Sequence, residues 1–358
     1  MAMKVRSLRA VYFSVWIVVC YFILSFYFLP RGHPRHGQST FHNHGSTHCL
    51  PRLSTDDISS ALSFNDSCAA YSPFFPSEPN PPRIARVMVR YGTPMEPYEQ
   101  RAVKTHMKNS IVHGTDLHML CDAVVDSYWN KQAFLLRLML EEMGKREEDR
   151  LEWLLWMDGD TVVLDQCRPA WSYLPPGYGG DGKEGRKKQE LRTKKNSSND
   201  EDHIGLNAGI FFLRVHPWSI TFLLSILSFP TYNPAITLPH AEQSAMQKLL
   251  ALPQFRPHVA YTPWEFFNTY PGSSDGARRY RESANNETEN LGGEMWARRG
   301  DWVIHFAGHR DGKRRREKMT DWLDAVDATG NIWEEDRVQR DLSDPIRGFW
   351  KASGLDIR

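Results

Sequence analysis

The sequence predicts an α/β fold: a mixed, mostly parallel central sheet flanked by helices, preceded by one transmembrane helix and a disordered stem. Three observations predict it. From residue 83 onward, short apolar runs of strand length alternate with longer segments of helical period, the pattern of βαβ units. Residues 10–29, AVYFSVWIVVCYFILSFYFL, are 20 uncharged and mostly apolar residues, the length of a bilayer-spanning helix. Between these regions, residues 30–82 are rich in Pro, Ser and His and carry little periodic hydrophobicity.

The apolar stretch carries its own orientation. Lys4, Arg6 and Arg9 precede it and Arg31 follows. Basic residues collect on the cytoplasmic side, so residues 1–9 read as a cytoplasmic tail and the bulk of the chain as lumenal. A cleaved signal peptide fits less well. The stretch exceeds the usual apolar core of about 7–15 residues, and no small-x-small cleavage site follows. A span rich in Phe and Tyr and barely long enough suits a thin early-secretory or Golgi membrane. The expectation is a single-pass type II signal anchor at 10–29, then a flexible lumenal stem at 30–82. The RGHPRHGQSTFHNHGSTH run within that stem reads as solvated, since Gly and Ser impose no ligand geometry.

Residues 83–358 form the folded domain, interrupted at 177–203 by a polar stretch that reads as a mobile insertion. Asn65, Asn196 and Asn286 open N-x-S/T sequons, which suits lumenal exposure. Cys20 falls in the span. Cys49, Cys68, Cys121 and Cys167 can pair in three ways, and the sequence does not choose among them.

Within the domain, RIARVMVRYG alternates toward a strand that stops at Gly92, and a helix follows around 96–108. DLHMLCDAV (116–124) is a second short strand. YWNKQAFLLRLMLEEMG is a helix, with Phe134, Leu135, Leu138 and Met139 at helical spacing and Gly144 as a stop. LEWLLWMD is a buried strand. IGLNAGIFFLRV is another strand; Pro217 and Trp218 open the helix WSITFLLSILSF, and HAEQSAMQKLLAL is a further helix. DWVIHFAGHRDGKRRREKMTDWL is a strand, a basic loop and a helix. The order β-α-β-α-β argues for right-handed crossovers and ligand binding at the carboxyl ends of the strands. The net charge of +1 carries no nucleic-acid signature, and none is expected as a partner.

At one such strand end lies EWLLWMDGDTVVLD, residues 152–165, where Asp158 and Asp160 flank Gly159. Carboxylates at i and i+2 of an extended chain point the same way and repel unless a cation sits with them. Mg²⁺ and Mn²⁺ take oxygen ligands from one or two carboxylates plus substrate phosphates. Such an ion would neutralise a departing nucleoside diphosphate, which is transferase chemistry. The same string also comes close to the DxDxT/V motif of haloacid-dehalogenase-type phosphatases, where the first Asp attacks phosphorus. That motif sits on the first strand of its domain. Here about two strand–helix units precede it, and no downstream Lys with a GDxxxD-like strand follows.

Three further strings carry candidate chemistry. HFAGHRDGKRRR (305–316) offers His305 at a strand end as a third metal ligand, then Gly308 and Lys313 for a diphosphate; read alone it is a solvated basic loop. GLNAG (205–209) offers Asn207, whose amide can bond sugar hydroxyls; alone it is an Asn/Gly turn. AEQS (241–244) puts Glu242 and Gln243 at a helix start, where a capping role is the bland reading and a place facing the anomeric carbon the sharp one.

In order, WNK, EWLLWMDGD, GLNAGIFFLR, WS, EQSA and HFAGH resemble the fungal galactosyltransferase and mannosyltransferase family, glycosyltransferase family 34, which also holds plant xyloglucan xylosyltransferases. The resemblance covers roughly residues 85–325. It implies a GT-A type nucleotide-sugar-binding fold, type II Golgi topology, Mn²⁺ (or Mg²⁺) dependence and transfer with retention. It implies a nucleotide-sugar donor, UDP-galactose first and GDP-mannose second, and a mannose-containing glycan or glycoprotein acceptor. Other glycosyltransferase subunits are implied partners, and a non-catalytic lumenal subunit is the alternative to an enzyme. By position, Asp158, Asp160 and His305 match the metal site. Gly308 and Lys313 match the diphosphate loop. Tyr91, Gly92 and Thr93 fall where base and ribose bind, and Lys131 matches a lysine near the donor. Asn207, Glu242 and Gln243 match positions around the transferred sugar. The chain departs from the family at Gly159, where Ser or Thr is usual, at Glu242, often Asp, and at His309, where Cys is common.

Overall fold

Trp153–Met157 is five apolar residues in a row, and both faces of the strand they form are covered. A strand of that composition belongs in the middle of a sheet with helices on either side. The computed structural model describes residues 39–72, 81–92, 94–175, 191–195, 206–282, 296–308, 311–333 and 341–353. Its strands are β1 (Phe41–His44), β2 (Ile84–Val89), β3 (Asp116–Leu120), β4 (Trp153–Met157), β5 (Thr161–Val163), β6 (Leu191–Lys195), β7 (Leu206–Arg214), β8 (Val259–Tyr261) and β9 (Val303–His305). Its helices are α1 (Thr55–Tyr71), α2 (Pro97–His113), α3 (Asn130–Met143), α4 (Pro217–Tyr232), α5 (Ala241–Leu250), α6 (Gly276–Glu282), α7 (Gly312–Thr329) and α8 (Ser343–Ala352).

The main sheet runs β1-β3-β2-β4-β7-β6-β8, with β4 at its centre. β1, β3, β2 and β4 are mutually parallel, and β7 runs antiparallel to both β4 and β6. Alternate residues of β4 feed two cores. Trp153, Leu155 and Met157 pack with Val103 and Met107 of α2 and with Ile346 and Trp350 of α8. Leu154 and Trp156 pack with Phe134 and Leu138 of α3, Phe222 of α4 and Leu249 of α5. Each such side chain, fully buried, stabilises the fold by about 1.5–3 kcal/mol. A separate antiparallel ribbon, β5 with β9, continues directly from β4 after a three-residue turn. The expected mixed, mostly parallel sheet with flanking helices is observed.

Two boundaries differ from the expectation. The stem of 30–82 is folded from Ser39 to Ser72. β1 is an edge strand on β3, α1 is opened by a Ser54–Asp57 capping box, and disulfides Cys49–Cys121 and Cys68–Cys167 tie both into the domain. Ser39–Arg358 accordingly form one unit. FHNH has no alternating pattern to announce a strand; its order comes from ladder bonds to β3 and from the disulfide. The insertion of 177–203 contains β6, which pairs with β7 and β8, so a polar string has been drafted into the sheet by its neighbours' backbone groups. Of the sequons, Asn65 is exposed on α1, and Asn196 and Asn286 lie outside the described residues. The apolar stretch 10–29 also lies outside them; among the described residues no helix is long and apolar enough to cross a membrane.

Candidate active site

The turn Asp158-Gly159-Asp160 joins the main sheet to the ribbon, and backbone bonds from both hold it. Asp158 N donates to Gly209 O on β7 at 2.8 Å, and Phe306 N, just past β9, donates to Asp160 O at 2.9 Å. Thr161 Oγ1 closes the turn onto Asp158 O at 2.7 Å. In the ribbon, Thr161 is opposite His305. That register carries His305 to the carboxylates: its Nε2 lies 3.3 Å from Asp160 Oδ1 and 3.8 Å from Asp158 Oδ2. Ligand atoms of Asp158, Asp160 and His305 all fall within 4.8 Å of one another.

The buried His305 ring is fixed from behind. Its Nδ1 is 2.9 Å from Asn268 Oδ1, and in the tautomer that donates there Nε2 turns its lone pair to the carboxylates. Tyr270 stacks on the ring with centroids 6.3 Å apart. A Cβ at Gly209 would sit 2.1 Å from His305 Cε1, so the ring can occupy this place only beside a glycine. Burial pushes Asp160 toward protonation, but His305 and then Arg315 outweigh it and hold its carboxyl below the usual range. Arg315 Nη1 is 3.9 Å from Asp160 Oδ2. Two carboxylates and one imidazole, the last held by an outer hydrogen bond, are a donor set that fits Mn²⁺ or Mg²⁺.

Beside this cluster lies a second one. The buried Lys131 Nζ is 3.2 Å from Asp158 Oδ1, 3.2 Å from Glu242 Oε1, and donates to Ala208 O at 3.0 Å. Trp156, two residues before Asp158 on the same face, donates Nε1 to Asp158 Oδ1 at 2.7 Å, and its ring lies under the Lys131 ammonium at 5.3 Å. Burial works to discharge Lys131, but Asp158 and Glu242 outweigh it and raise its affinity for the proton. Burial also pushes Glu242 above the ordinary carboxylate range, against the pull of Lys131. Ala241, just before Glu242, holds φ at 41°, a left-handed backbone that β-carbon residues rarely adopt.

Most of the sequence-derived residues meet at this one edge. Gln243 Oε1 accepts from Ala208 N at 3.0 Å. Asn207 accepts from Gly209 N and donates to Tyr270 Oη, both at 2.9 Å. Tyr91 and Gly92 follow β2, whose Val89 O faces Gly159; Tyr91 Oη donates to Ser127 O and accepts from Asn130. Gly308 takes φ 82° just past β9. Lys313 is not drawn in: its side chain is 85% exposed and its Nζ lies 3.9 Å from Glu317. Its neighbour Arg315 reaches Asp160 instead. Thr93 lies outside the described residues. Sequence reasoning passed over Trp156, Asn268 and Tyr270; it read Arg315 only as one of three arginines in a basic loop and Gly209 only as a flank of Asn207. A Trp two positions before the first Asp was a readable signal; nothing marked Asn268, which meets His305 only through the fold.

Residues 183–315 match the galactosyl transferase GMA12/MNN10 family. The match bears out the resemblance drawn from the motifs and the enzyme class it implied, a nucleotide-sugar-dependent glycosyltransferase. It takes in Asn207, Glu242, Gln243, His305, Gly308 and Lys313 and begins downstream of the Asp-Gly-Asp turn. Among solved structures, a glycosyltransferase involved in glycosylation of the major capsid of PBCV-1 is 15% identical, with TM-score 0.45 over 67% of this chain and 99% of that one. The galactosyltransferase LgtC, solved in complex with donor and acceptor sugar analogs, is 15% identical, with TM-score 0.37 over 67% and 95%. No curated protein matches the chain. The phosphatase alternative gains no support: the carboxylates follow the fourth strand of the domain, and the matched family transfers sugars.

Proposed function

We propose that the protein is a retaining hexosyltransferase of the Golgi membrane, single-pass type II with its catalytic domain in the lumen. The donor is UDP-galactose in the first instance and GDP-mannose in the second, and the acceptor a mannose-containing glycan. The observation that carries the reading is the convergence of Asp158, Asp160 and His305 on one point, with His305 turned toward the carboxylates by Asn268. Mn²⁺ or Mg²⁺ held by these three would supply charge to the diphosphate leaving group.

The chain's own residues do the rest. Lys131 keeps Asp158 and Glu242 on one ammonium, so the metal-side carboxylate and the candidate nucleophile are set relative to each other. Gln243 and Asn207 tie the start of β7 to α5 and to Tyr270, which fixes Gly209 and hence the place of His305. Glu242 is the buried carboxylate next to the metal cluster and outside it. It serves either as the nucleophile of a double displacement or as the charge that steadies a same-face attack. Arg315, nearest the other carboxylate oxygen of Asp160 from the one His305 meets, is the cation placed to meet a diphosphate.

A thermal-shift panel of nucleotide-sugars with and without Mn²⁺ tests the reading. A ligand that binds only the native state raises the midpoint as its concentration exceeds its dissociation constant. UDP-galactose or GDP-mannose should raise it only when Mn²⁺ is present. A panel flat for every donor in Mn²⁺ would sink the proposal.

A further inference from the structure

β1 is the edge strand of the main sheet and pairs in parallel register with β3, which sets His42 opposite His118 and His44 opposite Leu120. Side chains two apart on a strand share a face, so Asp116 and His118 project with His42 and His44 from one side of the sheet. The rings of His42 and His118 stack at 4.3 Å, and those of His44 and His118 at 5.1 Å. His44 Nε2 and His118 Nδ1 share a hydrogen bond of 2.9 Å. Thr40 Oγ1 donates to Asp116 Oδ1 at 2.5 Å and lies 2.8 Å from His42 Nε2. One oxygen atom thus already bridges the imidazole and the carboxylate. Ligand atoms of His42, Asp116 and His118 lie within 4.8 Å of one another.

Three neighbouring imidazoles cannot all carry protons cheaply. His118 lies between the other two rings. In the tautomer in which His118 Nδ1 donates to His44 Nε2, His118 Nε2 is left as the ligand atom and His44 is the outer contact that orients metal-binding histidines. Two imidazoles with one carboxylate suit Zn²⁺, whereas two carboxylates with one imidazole at the active site suit a harder ion.

We propose that His42, Asp116 and His118 form a second, structural cation site of zinc type that clamps β1 to β3. It does so from the strand pairing itself, while Cys49–Cys121 closes the same segment just beyond the strands. The two cross-links together fix the chain where it enters the domain. The site is separate from the transferase chemistry and does not depend on it.

The test uses the full chain carrying Asp158→Asn and Asp160→Asn, so that zinc cannot report on the active site. The protein is stripped with chelator, loaded with Zn²⁺, desalted, and its metal counted by inductively coupled plasma mass spectrometry. About one zinc per chain should remain, and a His42→Gln change, which removes a ligand, should lower zinc affinity by more than the roughly 10–100-fold that losing an outer-shell partner costs. His42 is exposed, so this substitution leaves the core intact, and without zinc the two proteins should melt together. Adding zinc should raise the midpoint only of the protein that keeps His42. Absence of retained zinc, or equal retention and equal stabilisation with His42→Gln, overturns the proposal.

Discussion

Two clusters of buried and half-buried polar side chains lie in this domain, and they are resolved differently. In the first, Arg86 donates to Ser110 Oγ at 2.7 Å, to His106 O and to Asn109 Oδ1, Asn109 Nδ2 donates to Gln166 O at 2.8 Å, and Trp333 Nε1 donates to Asp165 Oδ1 at 2.9 Å. Each of these donors meets an acceptor, most of them neutral or backbone groups, although Arg86 Nε and Gln166 Oε1 are left over. In the second, Asp158 and Asp160 both turn to one imidazole nitrogen, and Asp158 shares its lysine with Glu242. Burial is common to both and marks neither as functional. What separates them is the concentration of like charge at one point, which a cation relieves and a hydrogen-bond network does not.

The sharpest way to break this contrast is Asp160→Ala. It should cut sugar transfer at least roughly 10²–10³-fold while moving stability by no more than about 1 kcal/mol, read by initial rates and by urea denaturation of the same preparation. A large loss of stability would place Asp160 with the structural cluster. Next is Gly209→Ala. The new Cβ would meet His305 Cε1 at 2.1 Å and Nδ1 at 2.8 Å, so the ring must leave its Asn268 partner. Mn²⁺ affinity should fall by roughly 10–100-fold, as losing an outer-shell contact does, measured by titrating activity against Mn²⁺. Unchanged Mn²⁺ dependence would show that His305 is not a ligand.

The structural cluster predicts a pH effect instead. Burial pushes Asp165 up to about 6 from 3.8, against the pull of Arg168. A carboxyl whose folded value is raised binds its proton more tightly in the native state. Its contribution to stability is therefore full below about pH 4 and lost as pH rises to about 6. Across that window the Asp165→Asn variant should gain on the wild type by roughly 3 kcal/mol, followed by denaturant midpoints at successive pH values. A constant difference would mean that Asp165 stays ionised throughout.

Long patterned segments were legible without coordinates. β4, α3 and β7 follow from continuous apolar runs or helical spacing, and the Asp-x-Asp at the end of a strand located the site. The parts that escaped owe their order to neighbours. β1 reads FHNH, α1 buries only Ala61 and Cys68, and β6 is a polar string whose backbone is claimed from both sides. None of the three carries a pattern strong enough to be read locally, because each is held by ladder bonds or a disulfide. The pairing of His305 with Asn268, set by the bridge between Thr269 and Ile304, and the opposition of His42 and His118, set by strand register, both join segments distant in sequence.

The smallest effect concerns the residue between the two carboxylates. Gly159 departs from the Ser or Thr expected there, which suggests a position that must stay bare. The structure argues otherwise. A Cβ at Gly159 would meet only Val89 O, at 3.5 Å, an ordinary contact, and its φ lies outside the left-handed range. Room and backbone both admit a side chain, unlike Gly209 on β7, where a Cβ would drive the His305 ring from its place. Gly159→Ala should therefore leave the rate and Mn²⁺ dependence within about threefold and raise stability by roughly 0.4–1 kcal/mol through the unfolded chain. A loss approaching that of Gly209→Ala would mean that bound donor crowds this turn. Gly159 would then be a determinant of which nucleotide-sugar fits; without such a loss, it only eases the bend between sheet and ribbon.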